Sequence, residues 1–238
     1  MIEEVWRRVA DASRLDRVIV ATDDPRIADA ATAFGAETCM TSPDHASGTD
    51  RVAEVVNGCR EDYALVVNVQ GDEPLVTSTS LDRLVAAFDG DAPPQLATLC
   101  EPIVDRDELF DPNVVKVVSD DRGRALYFSR SPIPYHRGEQ RALAADFRPA
   151  LAGRVGGLSG YSRHQGIYAY TRQTLAALTR LPTSALEMDE GLEQLRALAA
   201  GFSIQVIESD FRSMSVDTPE DLERVARFLA GTPGATAS

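Results

Sequence analysis

The run Ala64-Leu-Val-Val-Asn-Val69 stops abruptly at Gln70-Gly71-Asp72-Glu73-Pro74, and this boundary constrains the chain more than any other feature. A short, continuously apolar and β-branched run reads as a strand buried on both faces, the kind found in parallel sheets with helices on either side. Arg17-Val-Ile-Val-Ala21 has the same character. Helical spacing of Ile2, Val5, Trp6 and Val9 predicts a helix over 2–12. Asp24-Pro25 reads as an N-cap followed by a first-turn proline, with Gly35 placed to end that helix. A strand over 36–41, a polar loop over 42–48 and a helix over 49–58 lead to the Ala64 run; a helix near 79–89 and a strand near 95–101 follow it. This alternation predicts an α/β fold built on a mostly parallel, doubly wound sheet.

From residue 113 the pattern changes. Val114–Ser119 and Arg124–Ser129 flank Asp120-Asp121-Arg122-Gly123, a hairpin turn. Residues 135–163 read as a polar, glycine-containing excursion, and Gly166–Thr171 returns as a strand. Helices are expected near 172–180 and 186–200, then a core strand over Phe202–Ile207. Thr218-Pro219-Glu220-Asp221 opens a terminal helix with cap, proline and acidic first turn in order. The reading is one domain over 1–230, with a disordered small-residue tail over 231–238.

Charge narrows the partners. With 24 Lys and Arg against 37 Asp and Glu, the formal net charge is −13, which argues against a nucleic acid partner. No apolar run reaches the roughly 20 residues of a membrane span, and the acidic opening stretch is not a secretory signal. Cys39, Cys59 and Cys100 are odd in number and widely spaced, as in a reduced cytoplasmic protein.

In an open α/β sheet, ligands bind beyond the carboxyl ends of the strands. Asp72 follows a buried strand directly, and Asp217 precedes a helix start. Alone, Gly71-Asp72 is as well explained by a turn, and Asp217 better by helix capping. Together they make a hard-oxygen site suited to Mg²⁺ holding phosphate oxygens. His45-Ala-Ser47-Gly48-Thr49-Asp50-Arg51 is either a capped loop or a phosphate- or base-contacting loop at a helix start. His164 and Tyr168 share a strand face, and Glu193 with Gln194 occupies the polar side of a helix. There is no Walker A loop, no G-x-G-x-x-G and no zinc spacing.

As a set these segments resemble the 3-deoxy-manno-octulosonate (Kdo) cytidylyltransferases over about residues 2–228. The blocks are Val20-Ala-Thr-Asp23, Cys39-Met-Thr41, His45-x-Ser-Gly-Thr-x-Arg51, Val67-Asn-Val-Gln-Gly-Asp-Glu-Pro74, Pro112-Asn-x-Val-Lys116, Ala125-Leu-Tyr-Phe-Ser-Arg130, Arg163-His-x-Gly-Ile-Tyr168, Leu192-Glu-Gln-Leu-Arg196 and Val216-Asp-Thr-Pro-Glu-Asp-Leu222. The resemblance implies a Rossmann-like nucleotide-diphospho-sugar transferase fold, a cytoplasmic homodimer, and transfer of CMP from CTP to Kdo for lipopolysaccharide synthesis. It implies Mg²⁺ on Asp72 and Asp217; His45, Ser47, Gly48, Thr49, Arg51 and Gln70 on the nucleotide side; and Arg130, His164, Tyr168, Glu193 and Gln194 around the sugar acid. The alternatives are a cytidylyltransferase for another 2-keto sugar acid, or an inactive remnant. The family pattern opens with a strand and a basic phosphate loop that have no counterpart in these 238 residues. The expectation is therefore that this chain as numbered does not make CMP-Kdo, and that its reading frame starts about 28 codons earlier.

Overall fold

A computed structural model describes residues 1–135, 160–216 and 218–231. The predicted Asp217, most of the excursion and nearly all of the tail therefore lie outside the described residues. Helix starts follow their caps. Asp24 accepts from the Arg26 N–H ahead of α2 (Pro25–Ala33), Ser47 from Asp50 ahead of α3 (Gly48–Gly58), and Thr77 from Ser80 ahead of α4 (Ser78–Ala86). Ser184 and Glu187 form a reciprocal capping box on α7 (Ala185–Glu190), which Gly191 ends in a left-handed conformation with φ 62°. The remaining helices are α1 (Ile2–Ala10), α5 (Arg106–Phe110), α6 (Arg172–Leu178), α8 (Gln194–Ala199) and α9 (Pro219–Gly231).

The main sheet has the order β6 (Ala125–Ser129), β5 (Lys116–Ser119), β7 (Ser162–Thr171), β4 (Leu96–Pro102), β8 (Ile204–Glu208), with β3 (Leu65–Asn68) also pairing with β7. β4 and β8 are parallel, whereas the long strand β7 runs against β3, β4 and β5, so the sheet is mixed. Phe128, Leu175, Leu195 and Ile204 anchor the core on one face, where α6 and α8 pack. Val5, Val9, Leu81, Leu84 and Ile167 fill the other, under α1 and α4. This is a three-layer α/β arrangement.

The sheet is interrupted at one place. β1 (Ile19–Thr22) pairs in parallel with β2 (Glu37–Met40) as a separate two-stranded sheet, and no pairing joins β1 to β3 among the described residues. Arg17, before β1, bridges Glu37 at the start of β2 and Glu61 just before β3. At the opposite edge Arg51 in α3 contacts Asp23 and Thr41, beyond β1 and β2, while Gly48 faces Asn68 and Gln70 at the end of β3. All three strands therefore point the same way. Between β1 and β3 lies a slot of about 530 Å³, walled by these two strands and by side chains of α1 and α3. Leu65, Val66 and Val67, which the sequence predicts to be covered on both faces, are only half-buried beside this slot.

Candidate active site

At the carboxyl ends of β1–β3 the chain turns into the segments richest in polar side chains. A pocket of about 90 Å³ is lined there by Gly48, Thr49, Asn68, Gln70, Tyr168, Tyr170, Glu193, Gln194 and Arg196, among others. β7 lies beside β3 with Tyr168 opposite Asn68 and Tyr170 opposite Val66. Tyr168 and Tyr170 stack with ring centroids 5.8 Å apart. α8 and the residue before it supply Gln194 and Glu193. The predicted nucleotide residues Gly48, Thr49 and Gln70 thus share one pocket with the predicted sugar residues Tyr168, Glu193 and Gln194.

Ser47 and Thr49 tie the two sets together. Their hydroxyls lie 3.1 and 3.2 Å from the two carboxylate oxygens of Glu193. Burial raises the Glu193 carboxyl above the usual carboxylate range, and these hydroxyl donors oppose that rise. The Ser47 hydroxyl also sits 2.9 Å from Asp50, so its single proton is shared between two acceptors. Two polar atoms near this pocket, the Tyr168 hydroxyl and Gln194 Nε2, are buried with no hydrogen-bond partner. Leaving such groups unpaired costs about 1–3 kcal/mol each, and both side chains line the pocket, where a polar ligand supplies what they lack.

The other predicted residues are placed differently. His164 is packed between Phe128 and Tyr168, with ring centroids 5.0 and 5.4 Å away, and shares a hydrogen bond with Thr98 Oγ1 at 3.0 Å. Desolvation pushes its pKa down to about 3, so the imidazole is neutral and backs Tyr168 without lining the pocket. Arg130 donates to the carbonyls of Glu190 and Pro112 at 2.7 and 2.8 Å, and to that of Gly191 at 3.4 Å. His45 bonds Glu54, and Arg51 bonds Thr41 and meets Asp23 at 3.3 Å, on the side of the slot. The Asp72 carbonyl accepts the N–H of Val216, the residue before Asp217. Among the described residues no group of three or more His, Cys, Asp or Glu is arranged to hold a metal ion.

Several residues that shape the site were assigned no role from the sequence, although Glu73 and Arg196 lie inside its quoted blocks. Ser213 Oγ lies 2.8 and 2.7 Å from the two oxygens of Glu73, and its N–H donates to Glu101 at 3.0 Å, all three residues being buried. Burial raises the Glu73 pKa to about 7 and pushes Glu101 up as well. This cluster fastens the segment leading to Val216 beneath the turn that carries Asp72. Arg196, bonded to Glu187 at 2.5 and 2.8 Å, fixes α8 against α7. Tyr170 was discoverable from its two-residue offset to Tyr168, which puts both side chains on one strand face.

Comparison with known proteins bears on the family and the fold. The sequence profile of the cytidylyltransferase family matches residues 1–208. The 3-deoxy-manno-octulosonate cytidylyltransferase of Syntrophotalea carbinolica is 49% identical over 231 residues, 97% of this chain and 88% of that protein. Its counterpart in Halorhodospira halophila is 46% identical over 234 residues, 98% of this chain and 88% of that protein. A solved structure of CMP:2-keto-3-deoxy-manno-octonic acid synthetase complexed with CTP superposes with a TM-score of 0.83 at 39% identity, covering 96% of this chain and 87% of that one. A 4-diphosphocytidyl-2C-methyl-D-erythritol synthase from Anaerococcus prevotii, at 13% identity and a TM-score of 0.58, shares the fold. On the profile match and on identity across nearly its whole length, this chain belongs to the 3-deoxy-manno-octulosonate branch of the cytidylyltransferase family.

Proposed function

We propose, against the expectation of an inactive chain drawn from the sequence, that the protein transfers CMP from CTP to 3-deoxy-D-manno-octulosonate. The anomeric hydroxyl oxygen of the sugar acid bonds to the α-phosphorus, the bond to the β-phosphate oxygen breaks, pyrophosphate leaves and the hydroxyl proton is released. The observation that carries this reading is the single pocket in which Gly48, Thr49 and Gln70 meet Tyr168, Glu193 and Gln194. It is supported by near full-length similarity to proteins named for that activity. Glu193 and Gln194 suit sugar hydroxyls, and the backbone at the start of α3 suits an anion.

Mg²⁺ fits the donor chemistry of Asp72 and Asp217 as two carboxylates; Asp217 lies outside the described residues, and its neighbour Val216 donates its N–H to the Asp72 carbonyl. A bound divalent cation supplies neutralisation of the crowded phosphate charge. We place the reaction in the cytoplasm, as the family resemblance implies. A homodimer would cover Leu126, 63% exposed on β6, and Met188, 69% exposed on α7.

Pyrophosphate release by the purified protein, measured with CTP and each of several 2-keto sugar acids, tests the reading. Release that requires Kdo and falls about a thousandfold or more in Asp72→Asn is the expected result. Release with a different sugar acid alone moves the assignment to that substrate, and binding of both ligands without release identifies an inactive member.

A further inference from the structure

The geometry points to Thr98 of β4 as a positioning residue for the sugar acid: its hydroxyl holds His164 in the Nε2–H form and braces the irregularity in β7 that sets Tyr168 at the pocket. This inference rests on the proposed function and adds a residue to its site. Thr98 is fully buried and lies opposite Tyr168 in the β4–β7 ladder. One step along β4, Leu99 lies opposite Gln165, so Gly166 and Ile167 have no counterpart in that register. Such a bulge bends its strand and re-aims a side chain, which is why bulges gather next to active sites. Thr98 Oγ1 sits at this break in the ladder, 2.9 Å from the Ile167 carbonyl oxygen and 3.2 Å from that of Gln165.

The same oxygen lies 3.0 Å from His164 Nε2, and counting protons fixes the direction of that bond. A threonine hydroxyl has one proton, and carbonyl oxygens only accept. The proton must point to the Ile167 and Gln165 carbonyls; turned to His164 instead, it would leave lone pairs facing two carbonyl oxygens within 3.2 Å. His164 therefore donates from Nε2. Its ring, kept neutral because desolvation pushes the pKa down to about 3, carries no proton on Nδ1. The ring so fixed packs against Tyr168, which stacks on Tyr170 on its other side. The unpartnered Tyr168 hydroxyl is the polar end of this chain of contacts, and a sugar hydroxyl supplies what it lacks. Gly48 and Gln70 stand on other elements, in α3 and beyond β3, so the nucleotide side does not depend on Thr98.

Ring nitrogen–proton correlation spectra of the intact protein, labelled with ¹⁵N at its three histidines and assigned with His164→Gln, read the tautomer directly. At neutral pH His164 should carry its proton on Nε2 and none on Nδ1. This arm needs neither substrate nor Thr98 variant, so it decides against the proposal independently of whether any sugar acid reacts or Thr98→Val folds. Thr98→Val keeps the shape and removes the hydroxyl; it should shift the His164 ring signals and raise the KM for Kdo about fivefold to tenfold, with the KM for CTP within about twofold. Thr98→Ser keeps the hydroxyl and should restore both readouts, which a defect of core packing would not allow. Added to Tyr168→Phe, Thr98→Val should raise the KM for Kdo no further, because its effect passes through the Tyr168 hydroxyl. A proton on Nδ1 in the unaltered protein, equal rises in both KM values, or additive rises in the double variant overturns the proposal.

Discussion

Glu73 is a buried carboxylic acid with Ser213 as its hydrogen-bond partner and no ion pair among the described residues, Arg163 opposing its raised pKa only from a distance. Its folded pKa of about 7 lies above the ordinary 4.5, so the folded state keeps a proton that the unfolded chain has released. The stability this confers is fully present below about pH 4.5 and is lost as pH rises through 7, a loss of about 3 kcal/mol at 1.36 kcal/mol per unit. Glu73→Gln should flatten that decline, measured as denaturant unfolding between pH 4.5 and 8; an unchanged slope would place the titration elsewhere. Tyr168 makes the complementary case. Its hydroxyl is unpartnered, so Tyr168→Phe should leave the free protein as stable or up to about 1–3 kcal/mol more so. The same change should raise the KM for the sugar acid about tenfold with little effect on CTP affinity. Steady-state kinetics with each substrate varied in turn decides it.

At the scale of elements, the start of α3 joins the two halves of the pocket. A Cβ at Gly48 would lie 3.2 Å from Gln70 Nε2, tighter than side chains normally approach, while its 3.9 Å distance to Asn68 Nδ2 is an ordinary contact. Gly48→Ala should therefore displace Gln70 and weaken CTP binding by calorimetry, while the helix, gaining a better helix former, melts no lower. The sequence made most of these elements legible. Ala64–Val69 and Arg17–Ala21 announced strands through β-branching, and Asp24, Ser47 and Thr218 announced helix starts through their caps. The reversal of β7 was not legible, because an apolar run carries no sign of its direction. Arg130 was also opaque: its guanidinium is held by carbonyls from the Pro112 and Glu190–Gly191 segments, and backbone acceptors leave no trace in residue identity. Glu73, Glu101 and Ser213 come together only through tertiary packing across more than a hundred residues of chain.

For the whole molecule, the interruption between β1 and β3 determines how strongly its parts melt together. A continuous sheet transmits order through its ladder, whereas here β1, α2 and β2 are joined to the rest by helix packing, loops and the side-chain contacts of Arg17 and Arg51, with no backbone ladder among the described residues. That corner has its own small core of Val20, Ala31 and Ala36, with Ile2, Trp6 and Phe34 packed against it. Native-state hydrogen exchange should therefore show β1 and β2 opening as a unit at lower free energy than β4 and β7, whose amides should report global unfolding. A single transition for all four strands would show full coupling across the gap. The consequence reaches heat and denaturant as well. With residues 19–40 tied on by side-chain contacts, the corner should open ahead of the rest and the melting curve should broaden accordingly. The width of the transition is therefore itself a measure of how tightly the two sheets are coupled.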